Sequence, residues 1–298
     1  MKRIIVTGAA GLLGQHLVNR LLASNERGSP ERDILALDIA ENPFDGLEGL
    51  EYLRADLTDF KSVEGELRDF QPDYIFNCAS YNDVDSADEE KEKAHQVNTL
   101  LVTDLVSLGQ GRIIQFSSDY VFNGAAGPYF EDDSPDPINY YGKTKLEAET
   151  ILRKSEANHL IIRSNVLYGT GKNVRKNFVT WLVDSLRSGK EVRIADDQYC
   201  NPTYAANLAE AAIEATENGI SGILHIAGRD YLSRYDMALG VAGFFDSDTG
   251  LIKPVGSDEL NQKAKRPLMG GLRIDRAFKL LRTRLLGLEQ GLRLMGEV

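Results

Sequence analysis

The chain has 298 residues, 42% of them apolar, and carries a net charge of −11 with a pI near 5.0, enough length for a full core in one large domain or two closely joined lobes. An acidic balance with no Lys/Arg-rich block argues against a nucleic-acid partner, and no apolar stretch is long enough to span a bilayer. With no apolar leader ahead of the first strand and only Cys78 and Cys200, neither at a metal-site spacing, the expectation is a cytoplasmic protein in a reducing compartment, without a membrane role or a metal.

In chain order, residues 3–7 form a β-branched run followed by Gly8-Ala-Ala-Gly11-Leu-Leu-Gly14 and an amphipathic helix to about residue 23. Strand, glycine turn and helix together bring backbone N–H groups and the positive helix end to a pyrophosphate, and a Cβ in the turn would hold the phosphate away. The spacing G-x-x-G-x-x-G meets the dinucleotide fingerprint in mechanism rather than letter for letter. Residues 24–33 read as a surface loop, and residues 34–38, ILALD, as a second buried strand ending in Asp38. A carboxylate there accepts both hydroxyls of an adenosine ribose and repels a 2′-phosphate, so NAD(H) is the preferred cofactor and NADP(H) the second candidate. Residues 51–54 suggest a third strand, Asp56 faces the adenine, and Asp59 is expected to cap a helix through Phe70. A fourth strand over residues 72–80 runs into Cys78, Ala79 and Ser80, small residues that permit close cofactor approach. Residues 82–104 are expected to form one long helix whose charges are its solvated face.

Residues 113–116 form the fifth strand and deliver Ser117, Ser118, Asp119 and Tyr120 at its carboxyl end, where open parallel sheets bind ligands. The Pro-rich stretch 128–138 loops over the sheet edge before a helix that starts near Asn139, on which Tyr141 and Lys145 stand at i, i+4 and share a face. A phenol with its free pKa of about 10 exchanges protons poorly at neutral pH, and an ammonium beside it favours phenolate and lowers that pKa. Tyr140 has only Lys143 at i+3, so Tyr141 is the better candidate; Ser117 or Ser118 could bond the same oxygen. With a sixth strand at 160–163, the alternation predicts an α/β fold, a Rossmann-like doubly wound parallel sheet with a smaller C-terminal α/β substrate lobe. Beyond it come a helix over 174–188 with Phe178, Trp181, Leu182 and Leu186 as lobe packing, a short strand at 192–195, and a turn over 197–203. A helix over 204–216 then returns to the sheet, and a last strand at 223–227 holds His225 as a satisfied core histidine. The dinucleotide-binding domain is thus expected at 1–169 with 202–227, and the substrate lobe at 170–201 and 228–298.

TGAAGLLG, the terminal Asp38, ADLTD, NCAS, Tyr141-x-x-x-Lys145 and RSNVLYG occur in the order found in extended short-chain dehydrogenases/reductases. Within that superfamily YNDVDSADEEKEKAHQVN, SSDYVFNG, YYGKTKLEAE, DDQYCNPTY and AKRP resemble the dTDP-4-dehydrorhamnose reductase family over most of the chain. The resemblance implies Ser118 as the triad hydroxyl, Tyr141 as proton donor, and Lys145 as the group that binds the nicotinamide ribose and tunes Tyr141. It puts Gly8, Gly11, Leu13 and Gly14 on the pyrophosphate and Asp56, Leu57, Cys78, Ala79, Ser80 and Asn98 along the cofactor. Asp85, Ser118, Asp119, Tyr120 and Val166 fall around the sugar, with Arg266 at the diphosphate. Where the family has R-T-S-W, this chain has Arg163-Ser164-Asn165-Val166, and valine offers no flat surface for a sugar. The implied activity is hydride transfer from a reduced nicotinamide to a nucleotide-linked 4-ketosugar, dTDP-4-dehydro-6-deoxymannose being the family's substrate; a homodimer is compatible with it. Two alternatives come with the resemblance. An epimerase or dehydratase of the superfamily would keep NAD tightly bound through turnover, and a dehydratase would want an acid pair where Asp119 stands single. A nucleotide-binding regulatory subunit is the other, since RSNVLYG also resembles the beta subunit of methionine adenosyltransferase.

Overall fold

Ile4, Ile5 and Val6 in β1 (Lys2–Thr7) and Ile34, Leu35, Ala36 and Leu37 in β2 (Arg32–Asp38) are buried on both faces, so these strands require a sheet covered on both sides. The computed structural model, which describes residues 1–25, 32–44 and 46–296, provides that cover. After β3 (Leu50–Arg54), β4 (Tyr74–Asn77), β5 (Arg112–Ser118) and β6 (His159–Ser164) come four shorter strands, β7 (Leu167–Tyr168), β8 (Val192–Ala195), β9 (Tyr199–Cys200) and β10 (Thr203–Tyr204), and then β11 (Gly222–His225). Seven strands pair in parallel in the order β11-β6-β5-β4-β1-β2-β3. The order reverses between β1 and β4, which opens a crevice at their carboxyl ends. β7 pairs with β10, β9 with β12 (Leu232–Ser233), and β8 with β13 (Ile252–Val255), outside the main sheet.

The α-helices among the described residues are α1 (Leu12–Asn25), α2 (Glu64–Phe70), α3 (Val84–Glu89), α4 (Lys91–His95), α5 (Leu101–Ser107), α6 (Tyr140–Lys154), α7 (Phe178–Arg187), α8 (Ala205–Glu217), α9 (Arg234–Phe244), α10 (Asp275–Leu280) and α11 (Leu288–Met295). Leu17 and Leu21 of α1 pack with Leu208 and Ala212 of α8 on one sheet face, and Leu67, Leu105 and Leu152 cover the other. A third apolar cluster joins α7, α9 and α11 through Val179, Leu182, Met237, Val241 and Leu292.

Four local expectations are corrected. Residues 82–104 do not form one helix: Asp83 caps α3 by accepting the Ser86 N–H, Glu90 breaks the run at φ −104°, ψ 55°, and α4 continues through a π-turn at Gln96–Leu100 into α5. That turn buries Asn98 and Thr99 against α6, a tertiary demand that overrides helical periodicity. The Asp59 side chain caps nothing; buried Phe60 tightens the chain into a single 3₁₀ turn, and α2 starts only at Glu64. α7 begins at Phe178 rather than 174, because Asn177 takes the Val179 and Thr180 N–H groups and fixes the helix start there. α1 continues to Asn25, and the rest of the expected loop, residues 26–31, lies outside the described residues. Among the described residues no helix is long and apolar enough to cross a membrane.

Candidate active site

The carboxyl ends of the strands open into a cleft of about 1710 Å³. Its floor starts at the β1–α1 turn. Gly8 has φ +62°, and a Cβ on it would stand 2.5 Å from the Ala79 nitrogen; one on Gly14 would stand 2.3 Å from the Gly8 oxygen. The turn therefore admits only glycine at these points, leaving the Gly8–Gly14 backbone and the amino end of α1 open to a phosphate group, a fit to a dinucleotide. Asp38 at the end of β2 is tied to this turn: one carboxylate oxygen accepts the Ala10 N–H (2.9 Å) and the other the Ala40 N–H (2.9 Å). Gly11, Leu13, Asp56, Leu57, Cys78, Ala79 and Ser80 line the same side of the cleft.

Asn98 does not. It is buried behind that wall, and its amide is fully used: the oxygen accepts Ser80 Oγ (3.1 Å) and the Tyr81 N–H (2.9 Å), and the nitrogen donates to the Tyr81 carbonyl and Thr144 Oγ1 (3.1 and 3.0 Å). It holds the wall rather than a ligand.

At the end of β5 the two serines part. Both line the cleft, but Ser117 Oγ donates to Glu149 (2.6 Å), whereas Ser118 Oγ donates to Asp119 (3.1 Å) and accepts the Tyr120 N–H (3.2 Å). Asn139 caps α6 by accepting the Gly142 N–H (2.8 Å), and the helix then presents Tyr141 and Lys145 to the cleft, the Lys145 Nζ 5.8 Å from the Tyr141 ring centre. Lys145 Nζ also donates to the Phe116 carbonyl (3.2 Å). Tyr140 turns outward under Lys91.

Burial decides the proton affinities. It pushes the Tyr141 phenol well above its usual range, against the pull of the Ser118 and Ser80 side chains, so the lowering expected from Lys145 is not what this pocket produces. The same burial brings Lys145 down to about 8, with Cys78 and Glu149 holding it up. Asp119, 2% exposed, rises to about 6 through desolvation, opposed by the Gly271 N–H and the Ser118 hydroxyl. Its second oxygen accepts Asn165 Nδ2 (2.6 Å) and the Gly271 N–H (3.2 Å).

The sugar-side expectations divide as well. Tyr120 lines the cleft with its ring edge-on to Tyr141 (5.8 Å), and Val166 lines it at φ +37°, a left-handed conformation uncommon for a β-branched residue. Asp85 lies outside the lining and is paired with Arg266 (2.9 Å), so the guanidinium expected to be free for a diphosphate already carries a counter-ion. The acidic edge of α3 makes two similar contacts, Asp83 with Arg175 (2.8 Å) and Glu89 with Lys263 (2.7 Å). Arg193 and Lys176 are likewise paired, with Glu259 and Asp184. Arg234, the first residue of α9, lines the cleft with no carboxylate at ion-pair distance among the described residues; its guanidinium lies over the Phe178 ring, 5.3 Å from the centre. Phe178 and Trp181, expected as packing, also face the cleft, with rings 5.9 Å apart, while Leu182 and Leu186 are the buried pair of that helix. Arg234 escaped the sequence reading because it belongs to no spaced motif, and the role of Asn165, inside RSNVLYG, because its bond to Asp119 joins residues 46 apart.

A switch-point crevice with a glycine cradle and a Ser/Tyr/Lys group on β5 and α6 define a protein of the short-chain dehydrogenase/reductase class. The sequence model for the RmlD substrate binding domain matches residues 1–295, and the chain belongs to that family. It is 32% identical over 281 residues to a probable dTDP-4,6-dihydroxy-2-methyloxan-3-one 4-ketoreductase of Streptomyces antibioticus, covering 92% of this chain and 88% of that one. It is 30% identical over 282 residues to methionine adenosyltransferase 2 subunit beta of Xenopus tropicalis, covering 89% and 78%. Among solved structures it is similar to dTDP-4-dehydrorhamnose reductase of Bacillus anthracis in complex with NADP, at TM-score 0.84 and 25% identity over 99% of both chains.

Proposed function

We propose that the chain reduces the keto group of a nucleotide-linked 4-ketosugar, with dTDP-4-dehydrorhamnose as the first substrate to try, in the cytoplasm. The observation that carries this reading is the convergence of Ser118, Tyr141 and Lys145 on one cleft between the glycine cradle and Arg234. A bound reduced nicotinamide supplies the hydride. Tyr141, kept protonated by burial, donates its proton to the carbonyl oxygen as negative charge develops there. Lys145, charged below about pH 8, faces the ring and stabilises the phenolate left behind. Ser118 Oγ holds the carbonyl oxygen by turning its single proton from Asp119 to that oxygen. Arg234 takes the diphosphate, and residues 170–201 and 228–298 act as the substrate lobe. Asp38 favours NAD(H) by repelling a 2′-phosphate.

The test is loss of reduced-nicotinamide absorbance with dTDP-4-dehydrorhamnose, with NADH and NADPH in parallel. Turnover that Tyr141→Phe lowers at least about 1000-fold supports the proposal. Equal kcat/KM for NADH and NADPH sinks the role given to Asp38. A second reading has its own support in the 30% identity to a methionine adenosyltransferase subunit: cofactor binding without turnover of any ketosugar would favour a regulatory subunit.

A further inference from the structure

Turning the Ser118 proton to a carbonyl oxygen leaves Asp119 short of a donor. The two carboxylate oxygens of Asp119 are unequal in this respect. Oδ2 accepts two N–H groups, from Asn165 Nδ2 (2.6 Å) and Gly271 (3.2 Å), whereas the side-chain partner of Oδ1 is Ser118 Oγ (3.1 Å). Both partners of Oδ2 can only donate, so a proton on this carboxyl group belongs on Oδ1, facing Ser118. At 2% exposure, Asp119 cannot turn to bulk water for a missing bond.

Ser118 Oγ has one proton and two lone pairs, and one lone pair takes the Tyr120 N–H (3.2 Å). With Asp119 ionised, the Ser118 proton goes to Oδ1, and the lone pair left over repels a carbonyl oxygen. With Asp119 protonated, the Oδ1 proton goes to that lone pair, and the Ser118 proton is left over to meet the carbonyl oxygen. The two arrangements join the same atoms and differ by one proton. The open direction faces Tyr141, whose phenol is pushed up by burial and pulled down by the Ser118 hydroxyl.

The surroundings favour that proton. Burial raises the Asp119 carboxyl to about 6, against the Gly271 N–H, the Ser118 hydroxyl, the Arg234 guanidinium of α9 and its own backbone N–H. The other titratable groups that face it are the phenols of Tyr120, Tyr141 and Tyr231 and the Cys200 thiol of β9. Burial raises all four, so they stay neutral while Asp119 changes charge.

We propose that Asp119 is a positioning residue that switches Ser118 between donor and acceptor: protonated, it frees the Ser118 hydroxyl to hold the ketone, and ionised, it keeps that proton for itself. This rests on the ketone-reduction reading above and adds a pH dependence to it. Asp119 keeps its proton through the reaction, and the one that ends on the product comes from Tyr141.

The test is kcat/KM for dTDP-4-dehydrorhamnose reduction from about pH 5 to 9 in the wild type, Asp119→Asn and Ser118→Ala. The wild type should fall about tenfold as pH rises through about 6, to a plateau that ends in the separate limb near 8 set by Lys145. In Asp119→Asn the amide oxygen stays with Asn165 and Gly271 and the amide nitrogen donates to Ser118. The step should then vanish, and the rate at about pH 7.5 should exceed that of the wild type by about tenfold. Ser118→Ala should lose the step at a lower rate, and serves if Asp119→Asn does not fold. A wild type without the step, or a step that survives either substitution, overturns the proposal. If no ketosugar is turned over, the carboxyl carbon resonance of Asp119, identified by its loss in Asp119→Asn, is titrated by NMR in the free protein. A midpoint near 6 that moves in Ser118→Ala sustains the switch while the reductase reading fails. A carboxyl ionised throughout about pH 5–8, or a midpoint indifferent to the hydroxyl, overturns it.

Discussion

Replacing Glu149 by glutamine isolates the charge behind Lys145. Glu149 is fully buried and accepts Ser117 Oγ (2.6 Å), Arg163 Nε (2.9 Å) and Arg163 Nη2 (2.6 Å), one helical turn beyond Lys145 on α6. Side chains at i, i+4 lie about 6 Å apart, and a full charge at that distance with an effective dielectric of about 20 is worth about 3 kcal/mol, or about two pH units of proton affinity. Arg163 lies against the same carboxylate and offsets part of this, which leaves about one unit. Lys145, already near 8, should therefore lose its proton about one unit lower in Glu149→Gln. In the proposed reduction the lysine acts charged, so activity should fall as pH rises through this value, and the alkaline limb of kcat/KM should shift toward acid by about one unit. Removing one partner of a buried ion pair also costs about 3–5 kcal/mol, so the profile is measured below a lowered Tm, and Glu149→Asp, which keeps the charge, should return the limb toward its original place. An alkaline limb that does not move in folded Glu149→Gln refutes the reasoning.

Arg234→Ala should weaken binding of dTDP about 10- to 100-fold by calorimetry, with Arg234→Lys in between; a Kd within twofold of the wild type removes Arg234 from the diphosphate. Gly142→Ala would put a Cβ 2.1 Å from the Tyr120 carbonyl oxygen, so α6 must shift at its start; a loss of about 1–3 kcal/mol in urea unfolding and at least tenfold in kcat is expected, and unchanged kcat refutes it. His225, fully buried and held down to about 3 by desolvation and Arg163, cannot take the proton that its unfolded form binds below about 6.5. Stability is therefore lost as pH falls from about 6.5 toward 3, by up to about 5 kcal/mol from this group. Asp119, raised to about 6, acts in the opposite sense and offsets up to about 3 kcal/mol of that loss. His225→Gln should flatten the acid limb in urea titrations at pH 4.5 and 7, and an unchanged slope would count against the assignment.

The sheet was legible because β1, β2, β4 and β5 are continuous apolar runs ended by chemistry-bearing residues, and both the glycine turn and Tyr141-x-x-x-Lys145 have a local geometry that spacing alone encodes. What stayed hidden depends on contacts between distant segments. The break at Glu90 and the π-turn at Gln96–Leu100 answer to the bonds Asn98 makes with Ser80, Tyr81 and Thr144. Ser117 and Ser118 are indistinguishable in sequence and separate only because Glu149 lies behind one of them. The direction of the Tyr141 shift was misread for a similar reason: helix spacing reports the neighbouring lysine but not the depth of the pocket. Arg266 was placed by its motif, yet its partner Asp85 stands 181 residues away.

Ion pairs tie Asp83, Asp85 and Glu89, at and along α3, to Arg175, Arg266 and Lys263 of later segments. Singly such pairs are weak, and all three leave at least one partner more than a third exposed to solvent. The screening length is about 8 Å at physiological ionic strength and shrinks as salt is added, so mobile ions reach the whole row together. The hold of α3 on these later segments is thereby handed to the surrounding electrolyte, tighter in dilute buffer and slacker in brine.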